Sequence, residues 1–513
     1  MYVKPVLSEA ESNTPEARTP LPTSNIWLFS LLITIALFHS LTVRQGHIWG
    51  DDFAMYVSHA RNLVEGRPYA QTGYLFNPAS PISPRMYPPV FPLLLAPVVR
   101  LFGVNLLPMK IEQVLFFVLA LATVYVFWRE DLSPKYALAQ IAILGFSPHF
   151  WAAKDNVLSD LPFLLFFYVL AVLVRRAPHG GRGRWRWAIL IGLALYLAIG
   201  TRAAGIALLG GLLLYDILRY RMITRMTIVA ISTCTALLII QWRFIGLGLS
   251  NYDGHFHATL HTVAEHLVSY PRTLAGFWVA STHGPYSSFL LGTVTFLMLS
   301  GLWSRYKHGL TIVEALLLPY GAMAVLWPFS PGIRLVFPFV PWLVFLALTG
   351  LRNFVQRSAP QRSAAILHSF LLLIAVPYIQ AYRHADFRTI PESTGMPEFN
   401  ELCQTVRDRT TPDDVLIYYR ARALALYTGR TASAYNFHGT EDELWEYARR
   451  IHATHLITTD AFNEDHGFLS SCAQRNSSRL QVVYQNPHFA LYRIVSPQPE
   501  KQNPDSLKAT LDQ

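Results

Sequence analysis

Long apolar runs, separated by short polar stretches, are the dominant pattern along the chain. Most of these runs hold about 17 to 20 residues, which is the length that a helix needs to cross the hydrocarbon core of a bilayer. We therefore predict about eleven membrane-spanning helices. They lie at roughly 25–43, 107–128, 136–151, 161–175, 186–200, 203–218, 226–246, 286–303, 312–329, 335–351 and 364–381.

One further apolar run, at 90–102, is interrupted by proline. Pro88 and Pro89 precede it, and Pro92 and Pro97 lie inside it. Proline removes a backbone donor and kinks a helix, and the run is too short to span a bilayer. We therefore predict an interfacial or re-entrant helix rather than a span.

The charges of the connecting loops orient the predicted spans. Arginine and lysine collect in four loops, and the positive-inside rule assigns such loops to the cytoplasm. A cytoplasmic N-terminus puts all four on that side, with Gly180 in the cytoplasm and His255 and Asp460 outside. The basic residues are Arg175, Arg176, Arg182, Arg184, Arg186, Arg219, Arg221, Arg225, Arg305, Lys307, Arg352, Arg357 and Arg362. The predicted external segments are the first loop 44–106, the loops 152–160 and 247–285, and the tail after residue 381.

The chain changes character after Ala381, where short helical and extended patterns alternate. This alternation predicts a small soluble α/β domain over 382–495. Its predicted helices lie at 397–410 and 441–452, and its predicted strands at 415–419, 455–459, 480–484 and 489–494. We expect an all-α polytopic transmembrane bundle over 25–381 before it, and polar, disordered tails at 1–24 and 496–513.

The composition excludes an ordinary soluble protein. Hydrophobic residues make up 52% of the 513 residues and charged residues 14%, whereas a soluble domain carries about 25% charged residues. The net charge of +10 does not indicate a nucleic acid partner, because the arginines lie in loops between spans. Cys234, Cys403 and Cys472 form no C-x-x-C pair, so no metal or redox motif is predicted, and Cys403 and Cys472 form either a disulfide or two free thiols.

The first external loop begins with an acidic pair. The sequence HIWGDD at 47–52 precedes an amphipathic helical pattern that ends at Gly66. Asp52, Tyr56 and His59 share one face of this helix, which we predict to lie at the membrane surface. One interpretation is that Asp51 caps the helix and that the helix dipole stabilises the charge of Asp52 in the first turn. The other is that one of the two carboxylates acts as a general base on a hydroxyl group.

A second acidic cluster follows in the next external loop, with Asp155 and Asp160 in the sequence DNVLSDLP at 155–162. Asp160 stands at the mouth of a predicted span, where a charge is costly unless it is solvated or used. It is either a helix cap or part of a site. Both acidic clusters lie on the same side of the predicted bundle, which is typical of residues that share one external cavity.

These motifs, in this order and on this side of the membrane, resemble those of the GT-C glycosyltransferases. The bacterial branch with protein O-mannosyltransferases and lipid A aminoarabinose transferases is the most similar. The resemblance covers about residues 1–350. It rests on WGDD at 49–52, Tyr56, GRPY at 66–69, YPPVFP at 87–92, SDLP at 159–162, GTRAAG at 200–205 and RLVFPFVP at 334–341.

The resemblance implies a polyprenyl-phosphate-linked sugar as donor and an inverting transfer to a lipid, glycan or protein acceptor. It implies that Asp51 or Asp52 is the base, with Asp51 narrowly favoured because it precedes the helix. Asp160 would bind the acceptor or position the site. Arg334 best matches the family's phosphate-binding residues, with Arg202 and Arg85 as alternatives, although it also fits an arginine that anchors a helix at the interface. The expected acceptor or cavity residues are Tyr56, His59, Asp155 and Tyr87.

Some members of this family bind a divalent metal through acidic and histidine residues. His255 and His283 lie on predicted external loops, but no family motif surrounds them. The sequence therefore leaves a metal cofactor open.

Two other classes of protein are compatible with the sequence: a transporter or lipid flippase, and a non-catalytic scaffold in envelope assembly. The sequence has no internal repeat and no matched pair of broken helices, which are common in transporters. A scaffold would tolerate replacement of Asp51 and Asp52, whereas an enzyme would not. For each class the expected location is the bacterial inner membrane.

Overall fold

The computed structural model describes residues 22–80, 84–178, 183–246, 259–279, 284–306, 309–327, 332–390, 393–462 and 465–495. Gly180, His255, His283 and the expected C-terminal tail lie outside the described residues. So does the expected N-terminal tail, apart from 22–24, which begin the first helix.

The chain is mostly helical, as the apolar runs predict. The helices are α1 (Pro22–Leu41), α2 (Asp52–Glu65), α3 (Val90–Phe102), α4 (Leu106–Trp128), α5 (Pro134–Gly145), α6 (Pro148–Ala153), α7 (Asp160–Arg176), α8 (Arg184–Thr201), α9 (Ala207–Tyr220), α10 (Arg225–Phe244), α11 (Leu260–Gly276), α12 (Pro285–Tyr306), α13 (Ile312–Val325), α14 (Phe339–Ser358), α15 (Ser363–Arg383), α16 (Pro397–Arg409), α17 (Ala421–Thr428), α18 (Glu441–Arg450) and α19 (Ser471–Arg475). Shorter turns of helix lie at Ala203–Ile206, Gly332–Val336, Pro360–Arg362, His466–Ser470 and Ser477–Arg479.

Every predicted span coincides with helix. The span predicted at 136–151 is divided into two helices, α5 and α6, because a new helix begins at Pro148. Among the described residues, 6 helices are long and apolar enough to cross a membrane by length and composition, and α1, α3 and α13 are shorter apolar helices. The chain is an integral multi-pass membrane protein, and the exact number of spans stays a prediction.

Small residues let helices of the bundle approach closely. Gly301 of α12 faces the carbonyl of Leu346, and Gly350 of α14 faces the carbonyl of Leu297, so that a β-carbon at either glycine would collide with the opposite backbone. Lipid supplies no hydrophobic drive between helices, so close contact of this kind holds a membrane bundle together.

The C-terminal segment forms a mixed six-stranded sheet in the order β1-β3-β2-β4-β6-β5. The four predicted strands and two predicted helices are present, whereas α17, β1 and β3 were not predicted, because they are too short for a periodic pattern. Pairs β1–β3, β3–β2 and β2–β4 are parallel, and β4–β6 and β6–β5 are antiparallel. The strands are β1 (Tyr74–Leu75), β2 (Val415–Ile417), β3 (Thr431–Ser433), β4 (His455–Thr459), β5 (Leu480–Gln485) and β6 (Phe489–Ile494).

The first loop forms part of this C-terminal domain. It supplies the edge strand β1, and its Trp49 packs edge-on against Phe399 and Phe462 in the core of the domain. Helix α2 ends at Gly66, as predicted, but it is enclosed between α3 and α17 rather than lying on a surface. The beginning of α2 is therefore held at the junction between the bundle and the C-terminal domain.

Candidate active site

Arg334 lies between two carboxylates at this junction. Its Nη1 donates to Oδ2 of Asp52 at 2.9 Å, and its Nε donates to Oδ2 of Asp160 at 3.1 Å. The other oxygen of Asp160 accepts a hydrogen bond from Arg202. We call Asp52, Asp160, Arg202 and Arg334 the charged cluster. It unites four of the sequence motifs that carried the family resemblance, at 49–52, 159–162, 200–205 and 334–341.

Separate elements of the bundle place these four side chains. Asp52 is the first residue of α2 and Asp160 the first residue of α7, where the helix dipole favours negative charge. Arg202 follows the last residue of α8, and Arg334 lies in the short helical turn that precedes α14. Two helix N-termini and two guanidinium groups therefore stabilise the two carboxylates.

The C-terminal domain reaches the charged cluster through Arg422. Tyr87 donates from its hydroxyl to Oδ1 of Asp52 at 2.7 Å, and Arg422 donates to the Tyr87 hydroxyl at 3.3 Å. Nη1 of Arg422 lies 3.9 Å from Oδ1 of Asp52. Arg422 is 2% exposed and also donates to the carbonyl of Pro84. A lone arginine in a soluble segment gives no pattern, so sequence reasoning missed this residue.

Asp52 is an ionised carboxylate that a ligand can reach. Burial raises its pKa, but the charge of Arg334, the hydrogen bond from Tyr87 and the charge of Arg422 act in the opposite direction. Together they lower the pKa of Asp52 from its ordinary 3.8 to about 2. The side chain is 21% exposed, so the ionised carboxylate is fixed by its partners and remains accessible to a ligand.

Asp51 has different surroundings, although it is the adjacent residue. It makes no side-chain cap for α2. Its two oxygens instead accept the backbone N–H groups of Arg422 at 3.2 Å and Ala423 at 3.1 Å, at the N-terminus of α17. Asp51 is 3% exposed, and this burial raises its pKa. It therefore joins the first loop to the C-terminal domain.

Asp155 lies in a second, separate group of charges. Its Oδ1 accepts the backbone N–H of Arg44 at 3.0 Å, and its Oδ2 accepts hydrogen bonds from Nε of Arg44 at 2.7 Å and from Nζ of Lys154 at 2.8 Å. We call Asp155, Arg44 and Lys154 the buried salt bridge. Asp155 makes no hydrogen bond or ion pair with the charged cluster among the described residues.

Tyr56 and His59 pack beside the charged cluster. Tyr56 stacks on Tyr87 with ring centroids 4.6 Å apart, and its hydroxyl lies 3.0 Å from the hydroxyl of Ser159. Nδ1 of His59 lies 2.8 Å from the carbonyl of Tyr69, and its Nε2 accepts the backbone N–H of Tyr87 at 3.4 Å. Burial lowers the pKa of His59 to about 3. The imidazole is therefore neutral, and both of its nitrogens hold the loop that carries Tyr87.

Arg85 is exposed and makes no ion pair with the charged cluster among the described residues. Arg334 and Arg202 are thus the two predicted phosphate-binding arginines that lie together. Arg334 is 29% exposed. Its Nη2 donates to none of the described residues, so this end of the guanidinium is open to a further acceptor.

A cavity of about 120 Å³ adjoins the charged cluster. Asp160 and Arg334 form part of its wall, and Leu158, Leu161 and Phe337 supply apolar surface. A single water needs only about 10–15 Å³ of such volume. The cavity therefore has room for a substantial part of a ligand beside Arg334.

The side chains of the charged cluster do not fit a metal ion. The guanidinium of Arg334 lies between the two carboxylates, where a cation would have to lie to be shared by them. Within the described part of the chain, no three His, Cys, Asp or Glu side chains are grouped closely enough to hold a metal. The three cysteines are free and buried.

Known proteins with a similar fold are membrane glycosyltransferases. Residues 86–243 match the family model described as dolichyl-phosphate-mannose-protein mannosyltransferase. ArnT from Cupriavidus metallidurans, solved bound to undecaprenyl phosphate, is similar with a TM-score of 0.58 and 14% identity over 92% of this chain and 99% of that chain. The chain has the GT-C glycosyltransferase fold. The resemblance that the sequence motifs indicated is confirmed.

Other GT-C proteins agree. The Archaeoglobus fulgidus oligosaccharyltransferase, in complex with Zn and sulfate, has a TM-score of 0.58 and 12% identity over 91% of this chain and 73% of that chain. A mutant of the arabinofuranosyltransferase AftD from Mycobacteria has a TM-score of 0.57 and 13% identity over 93% of this chain and 42% of that chain. No curated protein matches the chain in sequence. These similarities establish the GT-C fold of the chain.

Proposed function

We propose that this GT-C protein transfers a sugar from a polyprenyl-phosphate donor to an acceptor on the external face of the inner membrane. The observation that carries the proposal is the charged cluster, in which Arg334 bridges Asp52 and Asp160 beside a cavity. ArnT was solved with undecaprenyl phosphate and an archaeal relative with dolichol-phosphate, which supports a lipid phosphate as part of the donor.

The donor phosphate binds Arg334. Its Nη2 offers N–H groups beyond those that hold the two carboxylates, and a guanidinium fork matches the oxygens of a phosphate group. Arg202 supplies a second positive charge on the other side of Asp160. As the glycosidic bond breaks, charge collects on the leaving phosphate, so that a fixed arginine stabilises the transition state more than the ground state.

The chemical step is a single displacement. An acceptor hydroxyl attacks the anomeric carbon of the sugar, a new carbon–oxygen bond forms, and the bond to the phosphate oxygen breaks. The electron pair of the broken bond leaves with the lipid phosphate, and the acceptor proton passes to a carboxylate. One displacement inverts the configuration at the anomeric carbon.

Asp52 is the carboxylate we propose as base, in place of the narrowly favoured Asp51. Both oxygens of Asp51 accept backbone N–H groups and the side chain is sealed from solvent, whereas Asp52 is partly exposed. In the free protein, Arg334 lowers the pKa of Asp52. A phosphate that shares Arg334 adds negative charge beside Asp52 and raises its pKa. Donor binding thereby makes Asp52 a better base.

The test is mass spectrometry of envelope lipids and glycans from cells with and without the gene. We expect one sugar modification to disappear without the gene. It should return when the wild-type gene is restored, and should stay absent when the Asp52→Asn gene is restored at equal protein level. An unchanged set of glycans and lipids, or full rescue by Asp52→Asn, would contradict the proposal.

A further inference from the structure

Gln113 is a fully buried polar side chain in the middle of the bundle. It lies on α4, is 0% exposed, and lines the same cavity as Asp160 and Arg334. Neither its amide nitrogen nor its amide oxygen has a hydrogen-bond partner among the described residues. A buried amide without partners is costly to a folded protein. A ligand in the cavity would satisfy both atoms.

A second neutral amide faces the same space. Asn156 lines the cavity, and its Oδ1 is buried without a partner among the described residues. The rest of the wall is mostly apolar, with Leu158, Leu161 and Ile333, and its remaining polar side chain, His149, already contacts the carbonyl of Gly276 through Nε2. The cavity thus combines one charged end, formed by Arg334 and Asp160, with a neutral polar pair set in an apolar wall.

We propose that Gln113 and Asn156 bind the hydroxyl groups of the sugar that the donor lipid carries. This inference rests on the proposed function, because it takes Arg334 as the contact of the donor phosphate. The anomeric carbon is bonded to a phosphate oxygen, so the sugar must lie directly beside that phosphate. The cavity that Arg334 shares with Gln113 adjoins the guanidinium group and offers space for the sugar.

The chemistry of a primary amide fits this role. Its nitrogen donates and its oxygen accepts, so that one glutamine can bind two neighbouring hydroxyl groups of a sugar at once. Oδ1 of Asn156 accepts from a third hydroxyl or from an amine. Sites of this kind reject analogues that lack the matching groups, because the buried amides are then left unpaired. Gln113 and Asn156 are therefore specificity residues.

The experiment measures binding of two lipid probes to the full-length protein in nanodiscs. One probe is undecaprenyl phosphate, and the other is a panel of undecaprenyl-phosphate-linked hexoses and pentoses, from which the most tightly bound member is used. Gln113→Leu should weaken binding of the sugar-bearing lipid by about tenfold and leave binding of bare undecaprenyl phosphate unchanged, since two neutral hydrogen bonds are lost. Arg334→Ala should weaken binding of both probes.

Gln140 provides a matched control. It is also a fully buried glutamine in the bundle, on α5, but its amide donates to the carbonyl of Pro341 at 2.8 Å and it does not line the cavity. Gln140→Leu should leave the ratio of the two affinities unchanged. Gln113→Leu should also keep the thermal stability of the ligand-free protein, because it removes a polar group that has no protein partner. If Gln113→Leu does not fold, Gln113→Asn, which shortens the amide by one carbon, gives the same readout.

The outcomes separate the two proposals. If neither probe binds, or if Arg334→Ala binds both as the wild type does, the proposed function fails. If bare lipid phosphate binds through Arg334 but Gln113→Leu weakens both probes equally, or neither, the sugar subsite is wrong.

Discussion

The charged cluster and the buried salt bridge are two groups of the same chemistry in neighbouring segments of the chain. In the buried salt bridge, Asp155 is 0% exposed, and Nζ of Lys154 also donates to the backbone carbonyl of Thr42. In the charged cluster, Asp52 and Arg334 are partly exposed, and Arg334 faces a cavity with donors unused. The difference teaches that ion pairing alone does not mark a site. A carboxylate is available to a ligand only where part of its own surface stays exposed, as in Asp52 but not in Asp155.

The substitution Asp52→Asn is the strongest test of whether the charged cluster, unlike the buried salt bridge, takes part in chemistry. We expect the rate of sugar transfer to fall by about 10²–10⁴-fold, which is the usual contribution of a general base. The protein should remain folded, because Asp160 continues to hold Arg334. The measurement is single-turnover transfer in nanodiscs with saturating donor and acceptor.

The neighbouring Asp51→Asn is its matched control. Asparagine is a good helix cap and keeps one of the two oxygens that accept the N–H groups of α17, so this variant loses one hydrogen bond of the junction and retains the other. Transfer by Asp51→Asn should stay close to that of the wild type. Loss of activity in this variant, with retention in Asp52→Asn, would reverse the assignment of the base.

Asp155→Asn should have the opposite effect, large on stability and small on chemistry. It leaves the buried charges of Arg44 and Lys154 without a counter-charge, and breaking a buried pair in this way costs about 3–5 kcal/mol. Thermal unfolding followed by tryptophan fluorescence in detergent measures the loss. The donor affinity of the protein that remains folded should equal that of the wild type. A stable Asp155→Asn protein with lost donor binding would place Asp155 in the site after all.

Arg334→Ala tests the spare donors directly. Hydrogen bonds to a charged partner contribute roughly 1.5–3 kcal/mol, so that donor affinity should fall by about 10- to 150-fold. Arg334→Lys should recover only part of the loss, because an ammonium lacks the planar fork. Donor titration at saturating acceptor gives the result. An unchanged donor dependence in Arg334→Ala would mean that this arginine only ties α2 to α7.

The smallest expected effect is on the pH dependence of stability. The pKa of Asp52 is lower in the folded protein, about 2, than its ordinary 3.8. Its contribution, on the order of 2 kcal/mol, is therefore fully present above about pH 4 and is lost as the pH falls through 2. The difference in unfolding temperature between the wild type and Asp52→Asn should be constant from pH 7 to 5 and shrink below about pH 4. A difference that changes near neutral pH would contradict the low pKa.

The sequence predicts the fold well because its strongest signals are local. Apolar length and loop charge located the helices of the bundle, and period-two patterns located β4, β5 and β6. Order along the chain also brought Asp52, Asp160 and Arg334 together as one hypothesis. The orientation in the membrane, which assigns Asp460 to the outside, stays a prediction.

The parts that sequence reasoning missed depend on long-range contacts. Asp51 and Asp52 are adjacent residues of the same type, so the sequence alone does not separate their roles. The packing of α17 against the first loop makes Asp51 a buried cap of that helix and leaves Asp52 partly exposed. Arg422 and β1 gain their roles through residues hundreds of positions away. In the sequence, Gln113 is a single polar residue in an apolar run. Its importance follows only from the cavity, which is formed by residues from several helices.

Asp51 and Ala423 are 372 residues apart along the chain. At about 5–20 residues per second, the ribosome adds that length in roughly 20 to 75 s. During this interval the first loop has been synthesised but its partners in the C-terminal domain have not. Asp51 lacks the N-terminus of α17, Tyr87 lacks Arg422, and β1 lacks β3. A chain that stops before the C-terminal domain therefore never holds Asp52 in its final surroundings. Synthesis of the C-terminal domain is therefore a condition for placing Asp52 among the partners that it has in the folded protein.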